Sequence, residues 1–533
     1  MFGKPKTSST SAKRRVEYVS LADRLSRVWA SFWDATRPDR FGDDHFRYAD
    51  GASADAHATP QARAEIRNRA RFEAANNGWL KGMGRTYQND LVGTGPRLQI
   101  VDTDPEVARE LEKKFHQWLR DIRFARKLRA LKLAKRVDGE GIGVFYPILT
   151  DEARERFCNP VKIGFRLLEC DRLADAMGSL GIEDRSGFVD GIKFDEYGHP
   201  VQYRFLKQHP GSLQGIAPIE RDPYQVVDAK WVVHCFELDR PEQTRGVSEY
   251  QAILTPAYLL RQYVHSVVRA ARNAARLFGF ISTNLPPIET QLPGGEIEVP
   301  RCEPGATMAL EDDLLKVLPD GYSADLVKAE QPTSSHKDFV RQGVNELGRP
   351  VGMPLNKSSG NSSDYNYASG RLDHQDWQKG ISVERADDEI EICDKAFEIW
   401  LTEAVLVEDY LSPAARNLIG PDEYPPLPEH RWHWDGFEHV DPQKEANAQT
   451  ERLRNGTTHL GKEWAKAGSD ARQELESAAD FLGVSVEEYQ SLLRNYLYGS
   501  AQPAGKAPAN DPTSDPTEDE PAVDDEEVTS DQQ

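Results

Sequence analysis

Three groups of residues in this sequence have types and spacings that would support chemistry. Gly456, Gly461 and Lys462 stand at the spacing of a phosphate-binding loop. Such a loop needs Ser or Thr after the lysine to hold Mg²⁺, and a strand before it. Here Glu463 takes that place and no strand pattern precedes it, so a nucleotide site is not expected. A second group, Gly139 to Phe145, has the glycines of a dinucleotide fingerprint but runs from a helix pattern into a strand pattern, the reverse of that motif. A tight turn with close backbone approach is the expected structure. The third group is His430, His433 and His439 with Trp432 and Trp434. It has neither the HExxH spacing nor a cysteine, and no metal site is expected.

The remaining acids near the strand patterns, Glu169, Asp171 and Asp190, show no pairing in sequence and are expected at solvated strand ends. There is no nucleophile elbow and no kinase or nuclease motif. The five cysteines form no CxxC pair, which argues against a disulfide framework or zinc ribbon. No apolar run approaches the ~18 residues of a membrane span, and the basic, Ser-rich first residues lack the apolar stretch of a secretory signal. No cofactor is expected. The net charge of −21 opposes a surface that grips DNA phosphates. It does not oppose a protein that DNA must slide past, since an acidic wall repels phosphate.

The 533 residues allow two to four domains. Residues 1–60 form a polar N-terminal arm, partly disordered, with a loop of little core material at 50–61. Helices are expected at 61–80 and 104–136, the second capped by Asp104 with Pro105 in its first turn. Strands are expected at 143–149, 162–169 and 230–238, with a hairpin over 191–206 that turns at Glu196 to Pro200. A long helix over 247–278 places Tyr250, Ile253, Ala257, Leu260, Val264, Val267, Ala271, Ala274 and Phe278 on one seam with alternating steps of three and four. Arg261, Arg269, Arg272 and Arg276 fall off that seam.

Pro286, Pro287, Pro293, Pro300, Pro304 and Pro319 exclude a long helix over 279–335, so small β elements and loops are expected. A helix over 336–353 ends near Pro350. The segment 354–370, with two glycines and five serines, has the composition of a mobile loop. An amphipathic helix follows over 371–410, burying among others Ile381, Ile390, Ile392, Phe397 and Leu401. Residues 421–442 form an extended aromatic connector, 442–498 are helical, and 501–533 make an acidic, Pro-rich tail that cannot offset its ordering entropy and is expected to be disordered.

Several segments together resemble the lambda-type family of phage portal proteins, over about residues 60–480. They are the Arg-rich helix, Asn pair and Val-Gly-Thr-Gly turn within 67–99, and the signature at His234, Phe236, Arg240, Pro241, Gln243, Arg245 and Gly246. Asp338 and Phe339 come next, followed by Asn366, Tyr367, Ser369 and Arg371 and the segments near 439–448 and 465–470. The resemblance implies an α+β portal fold with a mixed α/β wing, a helical stem, a small β-containing clip and an α-helical crown. On that pattern residues 61–246 are wing, 247–278 the first stem helix, 279–335 the clip, 336–353 the second stem helix and 354–370 the channel loop. Residues 371–440 return to the wing and 441–500 form the crown.

The resemblance also implies a function. Copies of the chain, typically twelve, form a ring at one capsid vertex that conducts double-stranded DNA during packaging and ejection. The implied partners are the major capsid protein, the terminase large subunit and head-completion proteins. The implied location is the virion, after assembly in the bacterial host cytoplasm. No enzyme activity is implied. Ring contacts are expected along Tyr250, Ile253, Ala257, Leu260, Val264, Val267, Ala271 and Ala274, since one heterologous contact repeated around an axis closes a ring. The channel loop would present Lys357, Ser358, Ser359, Asn361, Ser362 and Ser363, with Lys357 touching phosphate in passing and Asp364 offsetting it. The alternatives are a scaffold or head–tail adaptor without a channel, or a packaging-motor enzyme.

Overall fold

A computed structural model describes residues 51–101, 103–173, 187–212, 223–276, 279–283, 322–326, 335–363, 366–419, 427–437 and 442–498. The expected arm before residue 51, most of the clip and the acidic tail lie outside these residues. The chain opens with α1 (Ala54–His57), α2 (Pro60–Asn76), α3 (Gly78–Val92), β1 (Arg97–Ile100), α4 (Pro105–Asp121) and α5 (Phe124–Asp138). The loop expected at 50–61 is instead structured. Ser53 caps α1, Thr59 caps α2, and Ala54 and Ala58 are buried.

Both long helices expected here are broken. Asn77 leaves α2 in extended conformation and caps α3, its Oδ1 accepting from the Trp79 amide at 3.1 Å. Arg123 turns left-handed between α4 and α5, at φ 55°. In each case the reversal lets two apolar faces reach one core, which a single straight rod would not.

A three-stranded antiparallel sheet follows, with β2 (Glu140–Pro147) flanked by β3 (Ile163–Leu168) and β7 (Val232–Phe236). The short helix α6 (Asp151–Arg156) joins β2 to β3. The expected hairpin is present as β4 (Ile192–Phe194) and β5 (Pro200–Leu206), which β6 (Tyr224–Asp228) extends. Ile142, Val144, Leu168, Ile192, Tyr203, Phe205 and Val232 make a small core between the two sheets. The main core packs Phe115 and Trp118 of α4 against the second half of the chain, with the Phe115 ring 5.2 Å from Phe397 and 5.3 Å from Trp400.

Next come α7 (Leu254–Arg276), the paired strands β8 (Gly279–Thr283) and β9 (Tyr322–Leu326), α8 (His336–Gly348) and α9 (Leu355–Ser359). A single-turn helix, Glu249–Ala252, precedes α7, so Tyr250 stands before the long helix and not on it. The helix expected over 371–410 is α10 (Tyr367–Asp388), a π-helical turn (Glu389–Asp394) and α11 (Lys395–Leu406). Ile390, expected inside, is 72% exposed.

After α12 (Pro413–Ile419), the segment expected as a connector contains β10 (His430–His433), which pairs antiparallel with β1 across more than 300 residues of chain. The last described residues form α13 (Pro442–Arg454), α14 (Leu460–Lys466), α15 (Ala471–Leu482) and α16 (Val486–Tyr498). No helix among the described residues is long and apolar enough to cross a membrane.

Candidate functional site

Arginines 63, 67 and 71 recur every fourth residue along α2 and therefore line one face. Each meets an acid. Arg63 binds Asp190, Arg67 binds Asp171 at 2.8 Å, and Arg71 binds Asp138 at 2.6 Å and Asp171 at 2.7 Å. Asp171 and Asp190 are therefore not at solvated strand ends as expected. They are ion-paired anchors, and Asp190 is buried.

The same face leads to a buried hub. Arg245 holds Glu140 with two prongs, Nε to Oε1 at 2.6 Å and Nη2 to Oε2 at 2.8 Å. The Gly246 amide donates to Glu140 Oε1 at 3.0 Å, and His234 Nε2 lies 3.2 Å from it. Arg245 Nη1 also donates to the Asp190 carbonyl at 2.8 Å. Gln243 accepts from the Asp239 and Arg240 amides and donates to the Arg245 carbonyl. Thr244 donates through its amide and hydroxyl to Asp55 of α1, and exposed Arg240 reaches His57 and the Ala52 carbonyl. Pro241 is exposed in the turn. A side chain at position 246 would strike the Gly139 carbonyl, so the backbone approach expected near the glycines is present.

Burial pushes the Glu140 carboxyl up, but Arg245 and His234 outweigh it and hold the group well below the usual carboxylate range. Burial likewise opposes the charged form of Arg245, and Glu140 with Asp190 overcomes it. The residues from His234 to Gly246 thus work as a polar clamp that fixes the chain's first described helices to the sheet. They build structure and make no nucleophile–base pair.

The seam expected to make ring contacts is used in part inside the chain. Tyr250, Ile253, Ala257 and Leu260 are buried within their own chain. Tyr250 donates to the Leu80 carbonyl at 3.0 Å, and Asn77 donates to the Ala257 carbonyl at 3.4 Å. Leu260 sits over Gly343 of α8, where an added Cβ would be 2.9 Å from its Cδ1. Tyr263 packs against Phe339, with ring centroids 4.5 Å apart and the rings tilted by 57°. The seam expected to join neighbouring subunits therefore packs, in this half, onto α3 and α8 of the same chain. Further along it, Val264, Val267 and Ala271 are half-buried, and Phe278 lies outside the described residues.

The segment expected as a mobile loop is partly helical. Residues 355–359 form α9 and are tightly held. Ser358 is buried and donates to the Met353 and Pro354 carbonyls, and Ser359 donates to Leu355. Lys357 is ion-paired within the chain. Its Nζ binds Asp90 Oδ2 of α3 at 2.6 Å, and the Trp377 indole donates to the same oxygen at 2.8 Å. Asn361, Ser362 and Ser363 are exposed, as are Asn366 and Arg371 at the start of α10. Asp364 is outside the described residues, and Tyr367 opens α10.

The three groups first considered for chemistry are all used structurally where they are described. Glu463 accepts from Thr458 at 2.7 Å and Lys466 at 2.9 Å, and the His459 ring caps α14. His430 binds Asp394 at 2.9 Å and His433 binds Gln99 at 2.8 Å. His439 is outside the described residues. Glu169, Asp171 and His209 bring their ligand atoms within 4.8 Å of one another, but Arg71 already supplies the positive charge there.

Sequence reasoning missed Glu140 and Asp90. Glu140 was hidden among glycines, and its one signal was a charged residue opening a strand of otherwise buried positions. Asp90 lies on a helix beside ordinary polar residues and carries no such signal.

Residues 44–385 match the family described as phage portal protein, lambda family. A probable portal protein of Halomonas phage phiHAP-1 is 23% identical over 430 residues, covering 76% of this chain and 77% of that protein. Similar solved structures include the neck of a native GTA particle computed with C12 symmetry, 12% identical, covering 77% of this chain and 94% of that one, with a TM-score of 0.39. Another is the virion of a native gene transfer agent particle, 12% identical, covering 76% and 99% of the two chains, with a TM-score of 0.32.

Proposed function

Because this chain belongs to the lambda family of phage portal proteins, we propose that copies of it close into a ring at one vertex of a capsid, and that double-stranded DNA passes through the hole during packaging and ejection. The observation that carries this is the family match over residues 44–385, which contains the clamp, the stem helices and the segment 354–370. The acidic net charge of −21 supports a lining that does not adhere to phosphate. So does the use of Arg63, Arg67, Arg71, Lys132, Lys135, Arg136 and Arg245 in internal ion pairs, which removes them from any phosphate-gripping surface.

In this reading α7 and α8 are the stem and β8 with β9 belong to the clip. The polar tip at Asn361, Ser362 and Ser363 faces the channel, and α13 to α16 form the crown. The ring has about twelve subunits, the number usual in oligomers of this family. It sits in the virion beside the major capsid protein after assembly in the bacterial cytoplasm. It docks the terminase large subunit and, later, head-completion proteins. The terminase supplies the force, and this chain turns over no nucleotide.

Negative-stain images of the purified full chain test the proposal. Rings with a central hole are expected. Monomers, closed shells, or ATP hydrolysis by the pure protein would overturn it in favour of a scaffold or motor enzyme.

A further inference from the structure

The buried seam of α7 leaves open which surfaces join one subunit to the next. Two exposed surfaces in the described chain have the required character. The first is on α10 and the following π turn. Leu372, Asp376, Lys379, Val383, Ala386 and Ile390 recur at steps of four, three, four, three and four, and every one is exposed. Leu372, Val383, Ala386 and Ile390 are its apolar members, the charged Asp376 and Lys379 lie between them, and the steps of three and four keep all six near one side of the helix. Leu372, Val383 and Ile390 each show more than half of their surface to solvent. Nothing in the described chain covers them, because α10 packs on α3 through its other face, where Trp377, Ile381 and Arg385 are buried. Acids border the row. Asp387 and Glu391 flank it, Asp376 lies within it, and all three are exposed and have no ion-pair partner among the described residues.

The second surface is the back of α7. Its buried side faces α2 and α8. Its outer side carries Tyr258, with Leu259 and Val268 at its two borders, each at least half exposed. This helix contains Arg261, Arg269, Arg272 and Arg276 and no acid. Arg269 and Arg272 are exposed and unpaired among the described residues. The two surfaces are thus one apolar row edged by acids and one apolar patch edged by arginines, on helices that pack on different elements of the chain. A ring needs two different, complementary patches on every subunit, each meeting the other on the next copy. Opposite charge at the edges sets register and orientation, while the apolar rows provide most of the attraction.

We propose that the exposed row Leu372–Val383–Ile390 of one copy packs against the outer face of α7, at Tyr258, Leu259 and Val268, of the next copy, with Asp387 and Glu391 facing Arg269 and Arg272. This rests on the ring-forming function proposed above and names the surfaces that make it.

The test exploits the two-sidedness of the contact. One variant carries Arg269→Glu and Arg272→Glu, the other Asp387→Lys and Glu391→Lys. All four positions are exposed, and circular dichroism checks that each variant folds. Assembly of the full chain is read by native mass spectrometry and negative stain. Wild type is expected to form rings and each variant alone to lose them. An equal mixture of the two variants is expected to restore rings in which they alternate, because each altered face then meets its altered complement. A chain carrying all four changes assembles for the same reason. Rings from either variant alone would show that something else covers the row, another segment of this chain included. That would overturn the inference while leaving the portal function standing. Failure of the mixture and of the fourfold variant to assemble would overturn the pairing of these two faces. Wild type that never forms rings would sink the function itself.

Discussion

Arg245 and Glu140 form a two-pronged ion pair sealed from solvent, 105 residues apart in sequence, at the point where the first described helices, the central sheet and the segment leading into α7 meet. Neither charge is tolerable there alone, since desolvating an unpartnered ion costs several kcal/mol.

Replacing Glu140 with Ala should therefore cost about 3–5 kcal/mol of folding stability, through the stranded Arg245 charge. Urea denaturation of the full chain measures it. A loss below about 1 kcal/mol, the range of an exposed pair, would contradict the clamp.

The same pair predicts an acid-side pH dependence. The folded Glu140 carboxyl lies well below its usual value. Its contribution is present above the unfolded value of about 4.3 and is lost as pH falls through the folded one. Asp171 is held low as well: burial raises it, but Arg67 and Arg71 overcome this. Stability attributable to these groups should fall on acidification below about pH 4 and stay level between pH 7 and 9. A Glu140→Gln chain should show a shallower acid limb.

His430 gives the opposite sign near neutrality. Its bond to Asp394 outweighs burial and raises its pKa. The stability it adds is full below its unfolded value of about 6.5 and fades as pH rises through the higher folded value. Burial holds His116 down to about 4, so that group adds stability above its unfolded value and loses it on acidification. The difference in melting temperature between wild type and His430→Phe should therefore shrink from pH 6 to pH 8. A constant difference would deny the His430–Asp394 contact.

Asp90 should matter more than Lys357. Removing Lys357 breaks one part-exposed ion pair, worth about 1 kcal/mol or less. Asp90→Ala also strands the Trp377 indole, adding about 1–3 kcal/mol. If Lys357 instead served DNA, Lys357→Ala would spare stability and slow DNA packaging in an assembled particle.

Lys462→Ala should leave ring formation intact, since the Lys462 side chain is exposed and the contacts at that turn are made by His459, Thr458 and Glu463. Ring images of the variant decide this, with loss of assembly as the adverse result.

The order of helices and strands was legible from periodicity and turn residues. The hairpin at 191–206, the strands at 143–149 and 162–169 and the stem helix each lie close to where local pattern placed them, because side-chain spacing is a local property. The break at Arg123 was less legible, since helical composition continues on both sides of it, whereas Asn76-Asn77-Gly78 carries a turn signal at the other break. Family motifs marked the clamp residues from His234 to Gly246, but their role depends on Glu140 and Asp190, whose partners are distant in the chain.

What the sequence determined by itself was the portal family, the acidic character and the stock of helices and strands. The tertiary structure decided which face of each helix is spent inside the subunit. A three-four seam specifies that a helix will pack lengthwise and leaves its partner open, because the same spacing serves an internal neighbour and an external one equally well. Folding assigned the seam at Tyr250, Ile253, Ala257 and Leu260 to the core and left the row at Leu372, Val383 and Ile390 outside. Lys357, by charge and composition a group for phosphate, was drawn to Asp90 by a fold that sets α9 against α3.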